Sequence, residues 1–170
     1  MKALLLAVGL GLVAALRTSD TGDLDVSGQW YLKAIVADKD CKRKTEALTP
    51  INITALEGGD LEVRVGMLVD GQCQEVKVDL EMMDEPGKYS AFGGRRKVDL
   101  QKMRAADHYA FFCEGELGDE QVRMGKLVGK DPEINPEALE EFRKVAEGRG
   151  FNPKRIVFPK QIETCTPGKN

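Results

Sequence analysis

The stretch Asp25-Val26-Ser27-Gly28-Gln29-Trp30-Tyr31-Leu32-Lys33-Ala34 holds the single tryptophan of a 170-residue chain and decides how the rest is read. Leu32, Ala34 and Val36 alternate with Tyr31, Lys33 and Ile35, the period of two of a strand with one apolar face. A glycine two residues ahead of a tryptophan is common by chance. Its setting makes it informative: the stretch follows an apolar leader and opens a long series of short alternating segments that ends in one helix.

Working outward, the same alternation recurs. Ile51, Ile53 and Ala55 are spaced by Asn52 and Thr54; Leu61, Val63, Val65 and Met67 by Glu62, Arg64 and Gly66; Val76, Val78 and Leu80 by Lys77, Asp79 and Glu81. Between them fall turn signals at Glu57-Gly58-Gly59-Asp60, Asp70-Gly71, Glu85-Pro86-Gly87 and Gly93-Gly94. Further strands fit 89–92, 97–102, 108–114 and 121–128, which makes about eight consecutive antiparallel strands. Asn135-Pro136-Glu137 then opens a helix with a polar cap and proline in its first turn. Ala138, Leu139, Phe142, Val145 and Ala146 share one of its faces, and Gly148 and Gly150 end it. A last short strand is expected at Ile156-Val157-Phe158. The fold class is therefore all-β with one C-terminal helix: an eight-stranded antiparallel up-and-down barrel, a closure that removes exposed edges and leaves room for one small ligand.

Before this domain, Met1 and Lys2 give a positive start and Ala3 to Leu16 an apolar run, read as a secretory signal peptide over residues 1–15, cleaved after Ala15. The run is shorter than the ~20 residues that cross a bilayer, so no membrane span is expected. Residues 16–170 form one domain, long enough to bury a core. The formal charge of −3 becomes −4 without Lys2, and 25 basic and 28 acidic residues are interspersed. That pattern argues against a nucleic-acid partner, which favours a basic stripe. Four cysteines in a secreted chain allow either one bridge with two free thiols or two bridges.

The chain resembles the lipocalin family, and within it the tear lipocalin, von Ebner's gland protein and odorant-binding protein 2 group. The resemblance is carried by Gly28-Gln29-Trp30-Tyr31-Leu32-Lys33-Ala34, Thr54-Ala55-Leu56-Glu57-Gly58-Gly59-Asp60-Leu61-Glu62, Asp84-Glu85-Pro86-Gly87-Lys88-Tyr89 and Asp107-His108-Tyr109. Residues 125–132 and 137–142 complete it. It implies a barrel floor of Gly28, Trp30 and Lys130, where Lys130 stands in place of the usual arginine and supplies charge without planar stacking. It also implies a Cys73–Cys165 disulfide closing a loop of roughly 90 residues, a constraint of about 4 kcal/mol in the chain-entropy view. Cys113 then matches an unpaired thiol, and Cys41, beside Lys42-Arg43-Lys44, departs from the pattern; a Cys41–Cys113 bridge is the alternative.

Alternation and resemblance together give an apolar cup lined by Leu32, Ala34, Val36, Ile51, Ile53, Leu61, Val63, Val65, Met67, Val76, Val78, Leu80, Tyr109, Phe111, Met124 and Val128. Lys126 shares the face of Met124 and Val128. It either turns inward toward a ligand's carboxylate or aldehyde end, as the resemblance implies, or snorkels at the rim. No catalytic residue is expected: His108 and Asp107 are strand neighbours on opposite faces, and no metal spacing, phosphate loop or nucleophile elbow is present. No cofactor is expected. Asn52-Ile53-Thr54 is an acceptor for N-linked glycan. The expected function is a secreted carrier of small hydrophobic ligands such as fatty acids, lipids or odorants, monomeric or weakly dimeric, with Asp38 to Leu48 as the lid and a cell-surface receptor as a second partner. The competing class is an interaction protein, a cysteine-protease inhibitor or receptor ligand acting through surface loops.

Overall fold

A computed structural model describes residues 25–39, 45–117 and 119–165, the side chain of Leu117 excepted. The expected leader, Cys41 and the middle of the expected lid lie outside these residues. Nine strand segments follow one another: β1 (Gly28–Ala37), β2 (Thr45–Leu48), β3 (Ile51–Ala55), β4 (Leu61–Val69), β5 (Gln72–Met82), β6 (Lys88–Ala91), β7 (Arg96–Lys102), β8 (His108–Leu117) and β9 (Glu120–Gly129). The helix α1 (Pro136–Gly148) comes after them. From β3 to β9 each strand pairs antiparallel with the next, and β1 pairs with both β3 and β9, so the sheet closes.

β2 and β3 both pair with β4, one beside each half of it. Thr49-Pro50 separates them, because proline brings no N–H to a ladder and the Thr49 N–H bonds the Gly66 carbonyl instead. They share one position around the barrel, which is therefore eight-stranded and up-and-down, as the alternation predicts.

The strand faces sort the apolar residues into two cores. Trp30, Leu32, Leu48, Ile51, Ile53, Leu61, Leu80, Tyr89, Val98, Leu100, Tyr109, Phe111 and Val128 are buried inside the barrel. Ala34, Val36, Ala110, Phe112 and Leu127 point outward and pack under Ala138, Phe142 and Ala146 of α1, with Phe151 beside them. The Phe112 and Phe142 rings stack at 6.1 Å. The helix begins as the sequence predicts: Asn135 Oδ1 accepts from the N–H groups of Glu137 (2.9 Å) and Ala138 (3.3 Å), satisfying orphan donors of the first turn.

Two expectations are corrected here. Ala34 and Val36 are in the outer core, not the cup, because the β1–β9 register shifts between Leu32 and Ala34. This bulge at Lys33 adds one residue and reverses the parity of everything after it, so Ile35 takes the inward place. The last strand is also absent. A 3-10 turn, Pro153–Arg155, leads to a single bridge in which Val157 and Ile35 exchange backbone hydrogen bonds of 2.8 and 2.9 Å. The tail then crosses to β2, where Leu48 bonds Lys160 and Ile162, and Gln161 Nε2 donates to the Leu32 carbonyl at 2.9 Å. The tail fills the seam where β1 has parted from β3.

Candidate functional site: the barrel interior

At one end the interior is closed by Trp30. Its indole N–H donates to the Val26 carbonyl at 2.9 Å, and its ring meets Tyr109 edge-to-face at 5.2 Å. The Lys130 ammonium lies 4.2 Å from the Trp30 ring centre and donates to the Ser27 carbonyl at 3.3 Å. An ammonium over an indole face is favourable, and the carbonyl supplies the orientation that a guanidinium plane otherwise gives. Gly28 makes the approach possible: its φ is +115°, and a Cβ there would stand 2.6 Å from Lys130 Nζ.

Around this floor the residues are fully buried, whereas Ile35, Val63, Val65, Met67, Val78 and Cys113, packed against the same cluster, are only partly so. Val76 lies opposite Val65 on the inward face and is likewise half-buried. The interior is thus sealed near Trp30 and accessible toward the end where the β4–β5, β6–β7 and β8–β9 turns lie. Its lining offers dispersion contact and desolvation to an apolar chain, roughly 25 cal/mol per Å² removed from water before the costs of binding.

Lys126 stands opposite Phe111 of β8 and Ile35 of β1, both members of the interior cluster, and Met124 stands opposite Cys113. Both residues therefore occupy the inward register, and Lys126 is half-buried. Among the described residues no carboxylate lies within ion-pair distance of its ammonium. Tyr89 brings a phenol to the same interior, with its pKa raised by burial and, less, by the nearby Asp60 carboxylate. Tyr89, Val98 and Leu100 did not figure in the sequence-derived cup, although the alternation Tyr89/Ala91 and Val98/Leu100 carries the signal. Ile35 and Cys113 were also missed; for Ile35 the pattern without the bulge points the wrong way.

Of the remaining candidates only Cys113 faces the interior. Cys73 and Cys165 form a disulfide with a Cα separation of 5.5 Å, tying β5 to the tail. Cys113 carries a free thiol on the inward side. Asn52 is exposed on the outer face of β3, opposite Gln29 and Arg64. His108 is buried, with its Nδ1 2.8 Å from the Ala106 carbonyl and its Nε2 unpartnered among the described residues, over Gly129 where a Cβ would stand 2.7 Å from it. Lys33, the bulge residue, is 2% exposed and donates to the Glu133 carbonyl. Burial lowers its pKa, and the acidic Asp131 and Glu133 oppose that shift. Among the described residues no cluster of histidine, cysteine and carboxylate side chains suits a metal ion. No helix there is long and apolar enough to cross a membrane.

This architecture, a closed eight-stranded barrel with an apolar interior, a tryptophan floor and one helix on its flank, has a known family counterpart. The model of the lipocalin / cytosolic fatty-acid binding protein family matches residues 27–163. The chain belongs to the lipocalin family. It is 50% identical to Lipocalin-1 of Sus scrofa over 176 aligned residues, covering 100% of this chain and 99% of that protein. It is 45% identical to von Ebner gland protein 1 of Rattus norvegicus, over 100% of both chains. The solved structure described as "The Siderocalin Ex-FABP functions through dual ligand specificities" shares the fold with a TM-score of 0.69 at 19% identity, over 81% of this chain and 99% of that one.

Proposed function

We propose that this lipocalin is a secreted carrier that binds small hydrophobic molecules reversibly inside its barrel. The observation that carries the reading is the graded interior: apolar inward faces, sealed at Trp30 and accessible at the other end. A packed core has no reason to leave Val63, Val65, Met67 and Val78 half-exposed on its inside. Lys126, without a carboxylate partner among the described residues, favours ligands that carry an anionic or polar head, such as fatty acids, because an unpaired ammonium among apolar groups is costly. Secretion rests on the apolar leader at residues 1–15. Asn52, exposed in an acceptor sequence, takes N-linked glycan in that route; an amidase that releases such glycans should lower the mass of the secreted protein, and no shift for wild type overturns this. Among the described residues no group in the interior assembles the paired acid and base of an enzyme, and the reading is of binding without chemistry.

The test is to purify the secreted protein, extract it with organic solvent and identify the extract by mass spectrometry. The delipidated protein is then titrated with a fluorescent fatty acid. One saturable site, weakened about tenfold by Lys126→Ala, supports the carrier with Lys126 at the head group. No bound lipid and no titratable site would overturn it and leave protease inhibition or receptor binding through surface loops as the working alternative.

A further inference from the structure

The β6–β7 hairpin, Ala91-Phe92-Gly93-Gly94-Arg95-Arg96-Lys97, puts a bulky side chain at the positive-φ position where the β4–β5 and β7–β8 turns place Asp70 and Asp107. Phe92 has φ +54°, in the left-handed region that a bulky side chain occupies only under constraint. Its ring is 51% exposed, with the Arg96 guanidinium carbon 5.0 Å from the ring centre. Gly93 and Gly94 continue at φ +67° and +90°, and a Cβ on either would meet nothing within 4 Å. The tip therefore projects into open space. The turn closes through the Arg95 N–H and the Phe92 carbonyl at 3.3 Å.

Behind the ring come three consecutive cations. Among the described residues none of Arg95, Arg96 and Lys97 has a carboxylate within 4.0 Å. Arg96 donates to the Glu116 carbonyl at 3.2 Å, and Lys97 lies opposite Glu114 in the register without an ion pair. The neighbouring β8–β9 end carries Glu114, Glu116, Asp119 and Glu120, so the basic tip is a local patch on a chain of net charge −3, not part of a basic face. An exposed aromatic held outward by a strained backbone, with two arginines and a lysine at its base that have no carboxylate partner among the described residues, has the chemistry of a shallow insertion into an anionic lipid surface: the ring enters the acyl boundary and the cations meet the headgroups.

We infer that the Phe92 hairpin docks this protein on anionic lipid surfaces, with the accessible end of the barrel turned toward the membrane. The inference deepens the carrier reading and rests on it for its purpose, since the hairpin lies at the end from which the interior is reached. A carrier docked in this way takes a lipid from the surface without a free passage through water. The acidic β8–β9 end is repelled by the same surface, which tilts the molecule so that the Phe92 hairpin leads.

The experiment is co-sedimentation of the full secreted protein with vesicles of phosphatidylcholine alone or with one-third phosphatidylserine, at low and physiological salt. Binding is expected only to the phosphatidylserine vesicles and should weaken with salt. Arg95→Gln with Lys97→Gln should reduce it about 25-fold, at roughly fivefold per charge. Phe92→Asn, a residue that accepts positive φ, should reduce it about tenfold without unfolding the turn. Equal binding to both vesicles, no binding to either, or binding that Phe92→Asn leaves unchanged would overturn the inference; the last outcome would mark a plain polyanion contact. Titration of the same variants with soluble fluorescent fatty acid separates the two readings. Retained one-to-one binding with no vesicle docking removes the docking alone, and loss of soluble binding in the wild type removes the carrier.

Discussion

Gly28, Trp30 and Lys130 show how one position without a side chain sets a contact between two others. Gly28→Ala forces a Cβ into a φ of +115° and toward Lys130 Nζ. It should cost about 1–3 kcal/mol in denaturant unfolding and alter the near-ultraviolet signal of Trp30; an unchanged midpoint and spectrum would mean that the contact does not order the floor. Lys33 gives a pH prediction. Its folded pKa lies below the usual 10.5 because burial disfavours the ammonium. The unfolded chain therefore binds the proton more strongly, and the charged residue's penalty is fully present below the folded pKa. Stability should rise with pH from that value toward 10.5. Tyr89, whose pKa is raised above 10.0, works in the opposite sense above that pH. Denaturant titrations from pH 8 to 10 should show a rising slope in wild type that Lys33→Met removes; parallel slopes would refute the assignment. At this scale the sequence was legible where chemistry is local. A lone tryptophan after a glycine and a basic residue just past β9 carry part of the resemblance that implies a floor, but nothing local reveals that Lys33 is buried.

The alternation in β3, β4 and β5 placed Ile51, Ile53, Leu61, Val63, Val65, Met67, Val78 and Leu80 on the inward face, because each strand keeps one register throughout. In β1 the same rule fails after Lys33. A bulge depends on how two distant strands pair, here β1 with β9, and Leu32-Lys33-Ala34 contains no glycine or proline to announce it. The consequence is measurable. Ile35→Trp should crowd the interior and weaken fatty-acid binding about tenfold, whereas Val36→Ala should lower stability by about 1–3 kcal/mol under α1 and leave affinity unchanged. The reverse pattern would restore the uninterrupted register. The helix was fully legible, since its cap, first-turn proline and apolar face all lie within one local segment. The final segment was not. Ile156-Val157-Phe158 has strand composition, but it meets only one free stretch of β1, and a single bridge forms with Val157 and Phe158 left exposed.

For the whole molecule, the tail closes the seam between β1 and β2 and is anchored to β5 by the Cys73–Cys165 disulfide across a sequence separation of 92 residues. Replacing both cysteines with serine should cost about 2–5 kcal/mol by freeing the unfolded chain, read as a lower denaturant midpoint. A midpoint within about 0.5 kcal/mol of wild type would show that the tail's hydrogen bonds to Ile35 and Leu48 hold it unaided. The sequence by itself determined the eight-stranded barrel, the helix and the family, because periodicity, caps and short motifs are properties of neighbouring residues. Tertiary structure alone decided which of Ala34, Ile35 and Val36 faces a ligand, where Lys33 is buried and what seals the seam. Those outcomes depend on the register between strands far apart in the chain, and closing the barrel is what selects that register.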